Sequence, residues 1–218
     1  KDENKDQTYF LHQLNQKQLQ HVLFPLADYT KTEVRKLAKK FNLPTADKEE
    51  SMGICFIGEV PMREFLQTKI KTKRGKIIMS DGVVVGDHAG LVFYTIGQRH
   101  FGRRTYDIGL KTDERPLFVV DKKIKANQLV VGYEDDELLY KKEIEVGDVN
   151  WIAGHPPKFP LKCKVRLRHR QPLETAKIER LKDYKIIVRF EKPQRAVTPG
   201  QFAVIYKNNE CMGGGVIR

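Results

Sequence analysis

The spacing of apolar residues changes character along the chain, and the change divides it. Over residues 1–58 the spacing is helical. Leu11, Leu14, Gln18 and Leu19 predict a first helix that ends before Phe24-Pro25. Thr30 followed by Glu33 forms a capping box. It opens a second helix, whose Val34, Leu37, Ala38 and Phe41 fall at i, i+3, i+4 and i+7. Leu43-Pro44 stops that helix. A short apolar run, Gly53-Ile-Cys-Phe-Ile-Gly58, follows between glycines. Two helices and such a run predict the end of an α/β domain whose sheet lies upstream.

From residue 59 to 138 the period shortens. Pro61 suits the first turn of a helix carrying Met62, Phe65, Leu66 and Ile70. A basic loop, Lys71-Thr-Lys-Arg-Gly75, leads into Lys76–Met79. Asp81-Gly82 then separates that run from Val83–Val85, a hairpin signal. Further strands are predicted at Leu91–Ile96, Leu117–Val120 and Gln128–Val131. Residues 139–218 read as strand and turn throughout: Glu143–Val146, Lys162–Arg168, Thr175–Glu179, Lys185–Phe190, Gln201–Tyr206 and Gly214–Ile217. Strands at intervals of about ten residues with Gly and Pro between them predict a small closed barrel. The expected fold class is therefore α+β: the C-terminal end of an α/β domain (1–58), a small mixed central domain (59–138) and a C-terminal β-barrel (139–218).

Composition narrows the partners. The chain has 218 residues, 40% of them hydrophobic, which is enough for packed cores and excludes a disordered tail. No run approaches the roughly 20 apolar residues that cross a bilayer, and the opening KDENKDQTYF is no signal peptide. The chain opens on Lys in the middle of a motif, so it is expected to be part of something longer. Forty Lys and Arg against 28 Asp and Glu give a net charge of +12. That balance favours a polyanion, nucleic acid first and an anionic membrane second; a merely lysine-rich, solvated surface gives the same number. Cys55, Cys163 and Cys211 are odd in number and form no CxxC pair. They build neither a disulfide framework nor a zinc site, and they point to a reducing, intracellular compartment.

Few residues carry chemistry on their own account. Cys55, between Ile and Phe, reads first as a small core residue and second as a thiol that Gly53 and Gly58 leave approachable. The strand Lys162-Cys-Lys-Val-Arg-Leu-Arg-His-Arg-Gln171 alternates Lys162, Lys164, Arg166, Arg168 and Arg170 against Cys163, Val165 and Leu167. Residues 158–195 hold 13 Lys or Arg against 4 Asp or Glu, so local acids do not neutralise this ladder. It predicts a strand that tracks phosphates ahead of a merely solvated face. Gly97-Gln-Arg99, at a strand end, suits contact with RNA backbone or base edges and equally an idle turn; Thr198-Pro-Gly-Gln201 is a turn first and a binding element second. Cys211-Met-Gly-Gly-Gly-Val216 lacks the Lys-Ser/Thr and helix of a phosphate loop, and is rejected as one. Cys163 and Cys211 are expected to be core thiols, Cys211 in a turn.

Five segments in order carry a resemblance. Lys5-Asp-Gln-Thr-Tyr-Phe-Leu11, Gly53-Ile-Cys-Phe-Ile-Gly58, Tyr94-Thr-Ile-Gly-Gln-Arg99, Arg168-His-Arg-Gln171 and Ala196-Val-Thr-Pro-Gly-Gln201, with Gly213-Gly-Gly215 as a sixth echo, resemble the bacterial-type tRNA-specific 2-thiouridylase family, including its mitochondrial members. The resemblance implies a sulfurtransferase that adenylates the C2 oxygen of the tRNA wobble uridine with ATP and Mg2+, then replaces that oxygen with sulfur. It implies Cys55 as the persulfide carrier, Lys5, Asp6, Gln7, Arg168, His169 and Gln201 as tRNA contacts, and residues 1–58 as the close of an ATP-pyrophosphatase domain. It further implies tRNA and a sulfur-donor protein (a cysteine desulfurase or sulfur-relay protein) as partners, no membrane and a cytoplasmic or organellar setting. The ATP-binding loop and the second cysteine are not in this chain, which is therefore expected to bind RNA without turnover. One departure is local: His100-Phe-Gly-Arg-Arg-Thr-Tyr-Asp-Ile-Gly109 stands where the family usually has a Gly-rich stretch. A rival, an RNA-binding barrel without catalysis, leaves Gly53–Gly58 without a purpose.

Overall fold

The computed structural model describes residues 1–48, 62–99, 115–181 and 185–218. The apolar run around Cys55 and the divergent stretch 100–109 lie outside them. The chain divides into two units. One comprises Lys1–Ser51, Lys142–Lys192 and Pro199–Arg218; the other comprises Met52–Lys141 and Pro193–Thr198. Among the described residues, no helix is long and apolar enough to cross a membrane.

In the second unit, helix α3 (Met62–Lys69) precedes a four-stranded sheet of β1 (Gly75–Met79), β2 (Val84–His88), β3 (Phe118–Lys123) and β4 (Gln128–Gly132), ordered β2-β1-β4-β3. The Asp81-Gly82 hairpin forms as expected. Gly82 takes φ +95, its N–H donates to the Met79 carbonyl at 2.9 Å, and the Asp81 carboxylate accepts from the Val83 N–H at 3.0 Å. The sheet buries both faces, which explains its continuous rather than alternating apolar runs. Ile77, Val119, Leu129 and Val131 pack with Tyr94 on one side. Ile78, Val120 and Val130 pack with Leu139 and Ala196 on the other.

The strand expected at Leu91–Ile96 does not form. Residues Leu91–Phe93 make a 3-10 turn instead. Gly90 at φ +146 and Gly97 at φ +86 bend the chain at both ends of the run. The Gln98 side chain accepts the Thr95 N–H at 3.0 Å, and the Gly97 N–H donates to the Val119 carbonyl at 2.7 Å. Gln98 thus holds the turn rather than standing free for RNA.

In the first unit, β5 (Tyr140–Trp151), β6 (Leu161–Arg166), β7 (Glu174–Arg180), β8 (Ile186–Arg195), β9 (Phe202–Lys207) and β10 (Glu210–Ile217) close into a barrel in the order β10-β5-β8-β7-β6-β9. Its centre is apolar, with Val146, Val165, Ile178, Val188 and Ile205 fully buried, while Val204 on the opposite face of β9 packs against Tyr9 and Tyr206. β5 runs far beyond the expected Glu143–Val146. Asp148 takes φ +49 and the register with β10 shifts between Gly214 and Val216, so a bulge carries the strand past what reads as a break. The closing glycines serve that seam. A Cβ on Gly213 would lie 2.0 Å from the Asn150 carbonyl oxygen, and one on Gly215 would lie 2.5 Å from that of Gly147.

Before the barrel, the single helix expected across Leu11–Leu19 is broken in two. Thr8–Leu11 is a 3-10 turn and α1 (Gln16–Leu19) is one α-helical turn. Asn15 restarts the helix with a capping box of its own, accepting from the Gln18 N–H. α2 (Lys31–Lys40) begins at the Thr30–Glu33 box as expected.

Candidate nucleic-acid interface

The basic ladder keeps its alternation as far as the strand lasts. Lys162 and Lys164 are exposed, while Cys163, Val165 and Leu167 are buried. β6 ends at Arg166, so Arg168 lies in a bend and Arg170 in a turn at φ +66. Arg166 does not join the outer row. Its side chain is 14% exposed, its Nη1 lies 3.4 Å from the Asp6 Oδ2, and its guanidinium stands 5.6 Å over the Tyr206 ring. Two expectations are corrected here: the ladder is shorter than five cations, and acids do reach this face. Asp6 comes from the first turn of the chain. On the neighbouring strands, Arg189 pairs with Glu143 at 2.7 Å and also with Glu179, and Lys185 pairs with Glu145 at 2.8 Å. Glu143 and Glu145 belong to β5, beyond the stretch over which local charge was weighed. These pairs are exposed, so each contributes little to stability. Their effect is to remove cations from the set available to a polyanion.

The segment carrying Lys5, Asp6 and Gln7 is seated against the barrel by the residues that follow it. The Asp6 carboxylate accepts the Thr8 N–H at 2.9 Å and the Thr8 hydroxyl at 3.0 Å, besides facing Arg166. Burial pushes its pKa up, but the Thr8 hydrogen bonds and the Arg166 charge outweigh burial and hold it below the usual carboxylate range. Tyr9 is buried. Its hydroxyl is placed to donate to the Phe202 carbonyl at 3.1 Å and to the Leu167 carbonyl at 3.3 Å. One side chain therefore ties together the residue before Arg168 and the residue after Gln201. Phe10, 57% exposed, sits edge-on to Tyr9 with centroids 5.3 Å apart and lies 4.8 Å from the His169 ring. His169 Nδ1 is buried without a hydrogen-bond partner.

His12 completes the seat. Its Nδ1 lies 2.7 Å from the Tyr9 carbonyl oxygen and its ring 4.5 Å from Phe202. Gly214 leaves it room, because a Cβ there would approach the His12 Cδ2 to 3.1 Å. Asn150 on β5 donates from Nδ2 to the carbonyls of His12, at 2.8 Å, and Leu14, at 2.9 Å.

Six expected contact residues are thus drawn to one region. His169 meets the Tyr9–Phe10 pair, Asp6 faces Arg166, Lys5 and Gln7 are exposed on either side of Asp6, and Arg168 and Gln201 flank the two carbonyls held by Tyr9. The Gln201 backbone is fixed by its turn: Gly200 takes φ +86 and its N–H donates to the Ile217 carbonyl at 2.9 Å, while the Ile217 N–H donates to the Gln201 carbonyl at 2.8 Å. Sequence reasoning overlooked Tyr9, His12, Asn150 and Tyr206. Tyr9 lay inside a quoted motif; nothing local marks Asn150 as an anchor for residues more than a hundred positions away.

Burial raises the thiols of both described cysteines. Cys163 is buried, and burial pushes its thiol up to about 12. Cys211 lies in β10, not in the turn expected of it, with Sγ 3.9 Å from the Thr8 carbonyl oxygen, and burial raises its thiol too. Neither is a thiolate near neutrality. Among the described residues, no three His, Cys, Asp or Glu gather as metal ligands.

Three family profiles match the chain in series: the tRNA methyl transferase HUP domain over residues 1–59, the tRNA methyl transferase PRC-barrel domain over 63–133 and the aminomethyltransferase beta-barrel domain over 141–217. Among curated relatives, the tRNA-specific 2-thiouridylase MnmA of Coxiella burnetii (strain RSA 493 / Nine Mile phase I) is 46% identical over 99% of this chain and 59% of its own length. That of Lactobacillus johnsonii is 46% identical over 100% of this chain and 58% of its own length. That of Geobacillus thermodenitrificans is 44% identical over 99% and 57%. The chain spans a little under three fifths of the length of these relatives.

Proposed function

From membership of the tRNA-specific 2-thiouridylase family, to which this chain belongs, we propose that it holds tRNA and carries the transferred sulfur in an enzyme that thiolates the wobble uridine. The observation that carries the proposal is the Tyr9 hydroxyl set between the Leu167 and Phe202 carbonyls. It gathers residues expected to touch tRNA from three distant stretches of sequence onto one end of a basic barrel. In this proposal 1–58 closes the ATP-pyrophosphatase domain, 59–138 is the central domain and 139–218 is the tRNA-binding barrel. The partners are tRNA and a sulfur-donor protein, and the setting is cytoplasmic.

ATP's part is to turn the C2 oxygen of uridine into a leaving group. Among the described residues none fits that nucleotide: the glycine run Gly213–Gly215 is the β5–β10 seam. What they supply is position and sulfur. Lys5, Gln7, Arg168 and Gln201 hold the anticodon arm, and exposed Lys162 and Lys164 meet phosphates. Cys55 bears a persulfide, whose terminal sulfur is a stronger nucleophile near neutrality than an ordinary thiol. That sulfur bonds to C2 as the C2–O bond breaks and the oxygen departs on AMP, and a second thiol attacks the Cys55 sulfur and breaks the persulfide S–S bond, leaving a disulfide for a reductant to reopen. In the intact enzyme, Cys55→Ser should abolish 2-thiouridine while tRNA binding persists. Wild-type rates of 2-thiouridine formation in that variant would refute the sulfur-carrying role.

A further inference from the structure

We infer a second polyanion-binding surface at one end of the four-stranded sheet in the unit Met52–Lys141, built from the loop before β1 and the β3–β4 turn, and we assign it to an RNA backbone. The inference rests on the proposed tRNA substrate. The topology makes the patch. β1 and β4 run parallel with Lys76 opposite Gln128, and β3 meets the same end with Lys123 opposite Gln128. The loop Lys71–Arg74 and the turn Ile124–Asn127 therefore emerge side by side, on strands about 4.8 Å apart. Together they present Lys71, Lys73, Arg74, Lys123 and Lys125, all exposed.

The charge balance here differs from that of the barrel. Arg189, Lys177, Lys185 and Arg166 each have a carboxylate within 4 Å. In the patch only Lys76 does, pairing with Asp87 at 2.9 Å; among the described residues the five cations have no ion pair. Such a cluster repels itself and stores positive potential until an anion arrives. It is also held in shape. The Asn127 Nδ2 donates to the carbonyls of Arg74, at 2.8 Å, and Lys73, at 3.4 Å. His88 Nδ1 accepts the Gly90 N–H at 3.1 Å, so its Nε2 carries the proton and donates to the Asn127 carbonyl at 3.1 Å. Asn127 takes φ +52, and a Cβ on Gly75 would stand 2.1 Å from its carbonyl oxygen. The two loops are thus bolted to each other, and ordering them on binding costs little. Ile124, 79% exposed at the tip between Lys123 and Lys125, offers an apolar contact for a sugar or an unstacked base.

The test measures binding of an unmodified tRNA transcript with wobble uridine by the full chain across a salt series. Lys73→Gln, Arg74→Gln and Lys125→Gln together should lower the slope of log K against log salt by about 2 to 3. At 150 mM salt the affinity should fall by roughly tenfold to a hundredfold. The same charge change placed at exposed Lys36, Lys40 and Lys207 controls for net charge and should do much less. A triple patch variant that binds like the unsubstituted chain, or no worse than the control, overturns the inference. So does a variant that loses binding to phosphatidylserine vesicles but keeps tRNA, which would assign the patch to a membrane. If the unsubstituted chain fails to bind tRNA at all, it is the proposed function that fails.

Discussion

Arg166 and Asp6 lie 160 residues apart in sequence and 3.4 Å apart in space. The arginine is the more enclosed of the two, with its Nε buried and without a hydrogen-bond partner among the described residues. A guanidinium in that state depends on its one carboxylate. Asp6→Asn should therefore destabilise the chain by about 1–2 kcal/mol, less than a fully buried pair because Asp6 keeps solvent contact. Denaturant titration measures this. Replacing both residues by apolar ones should recover much of the loss, whereas equal instability of the single and double variants would show that the pair is not what Arg166 relies on.

Acid should unseat the N-terminal segment in two stages. His12 is held below its ordinary 6.5, first by burial, with the Tyr9 carbonyl opposing. Above pH 6.5 it is neutral folded or unfolded and costs nothing. As pH falls below 6.5 the unfolded chain takes the proton first, so stability declines until the folded value is passed. Asp6 is depressed below its ordinary 3.8, so the stability it adds is present above that value and is lost as pH falls through its lower folded value. Thermal melts from pH 8 to 3 should show both declines. His12→Phe should flatten the first and spare the second; an unchanged profile would rule His12 out as its source.

Arg168→Ala with Arg170→Ala should weaken tRNA binding and lower the salt slope by roughly 0.7–0.9 for each phosphate left without its cation. Unchanged affinity and slope would mean that the end of the β6 ladder does not touch phosphate.

The chain itself should not bind ATP specifically, because its described residues present no glycine loop whose amides cradle phosphates. Calorimetry on the full chain is expected to show no saturable heat. Micromolar affinity would place a nucleotide site within these residues.

How far the sequence foretold this structure depends on the range of the forces involved. The Thr30–Glu33 box, the Asp81-Gly82 hairpin and the alternation in β6 as far as Val165 are local, and these formed as read. The strand expected at Leu91–Ile96 failed because Gly90, Gly97 and the Gln98 side chain acted together against its β propensity. The Leu11–Leu19 helix failed because Asn15 offers a better start than continuation. In the candidate interface the motifs were visible as separate words. Their meeting was not, since Tyr9 reaches Leu167 and Phe202, and Asn150 reaches His12, across more than a hundred residues. Asp6 as partner of Arg166 and Glu143 as partner of Arg189 were missed for the same reason: both acids come from outside residues 158–195.

The central claim is that Cys55 carries the sulfur. It is tested most directly by charging the intact enzyme with labelled sulfur from its donor, trapping persulfides and locating the label by mass spectrometry. Label is expected on Cys55 and on neither Cys163 nor Cys211, whose thiols burial raises. Label on Cys163 or Cys211 with Cys55 bare, and a Cys55→Ser enzyme that still thiolates tRNA, would contradict it.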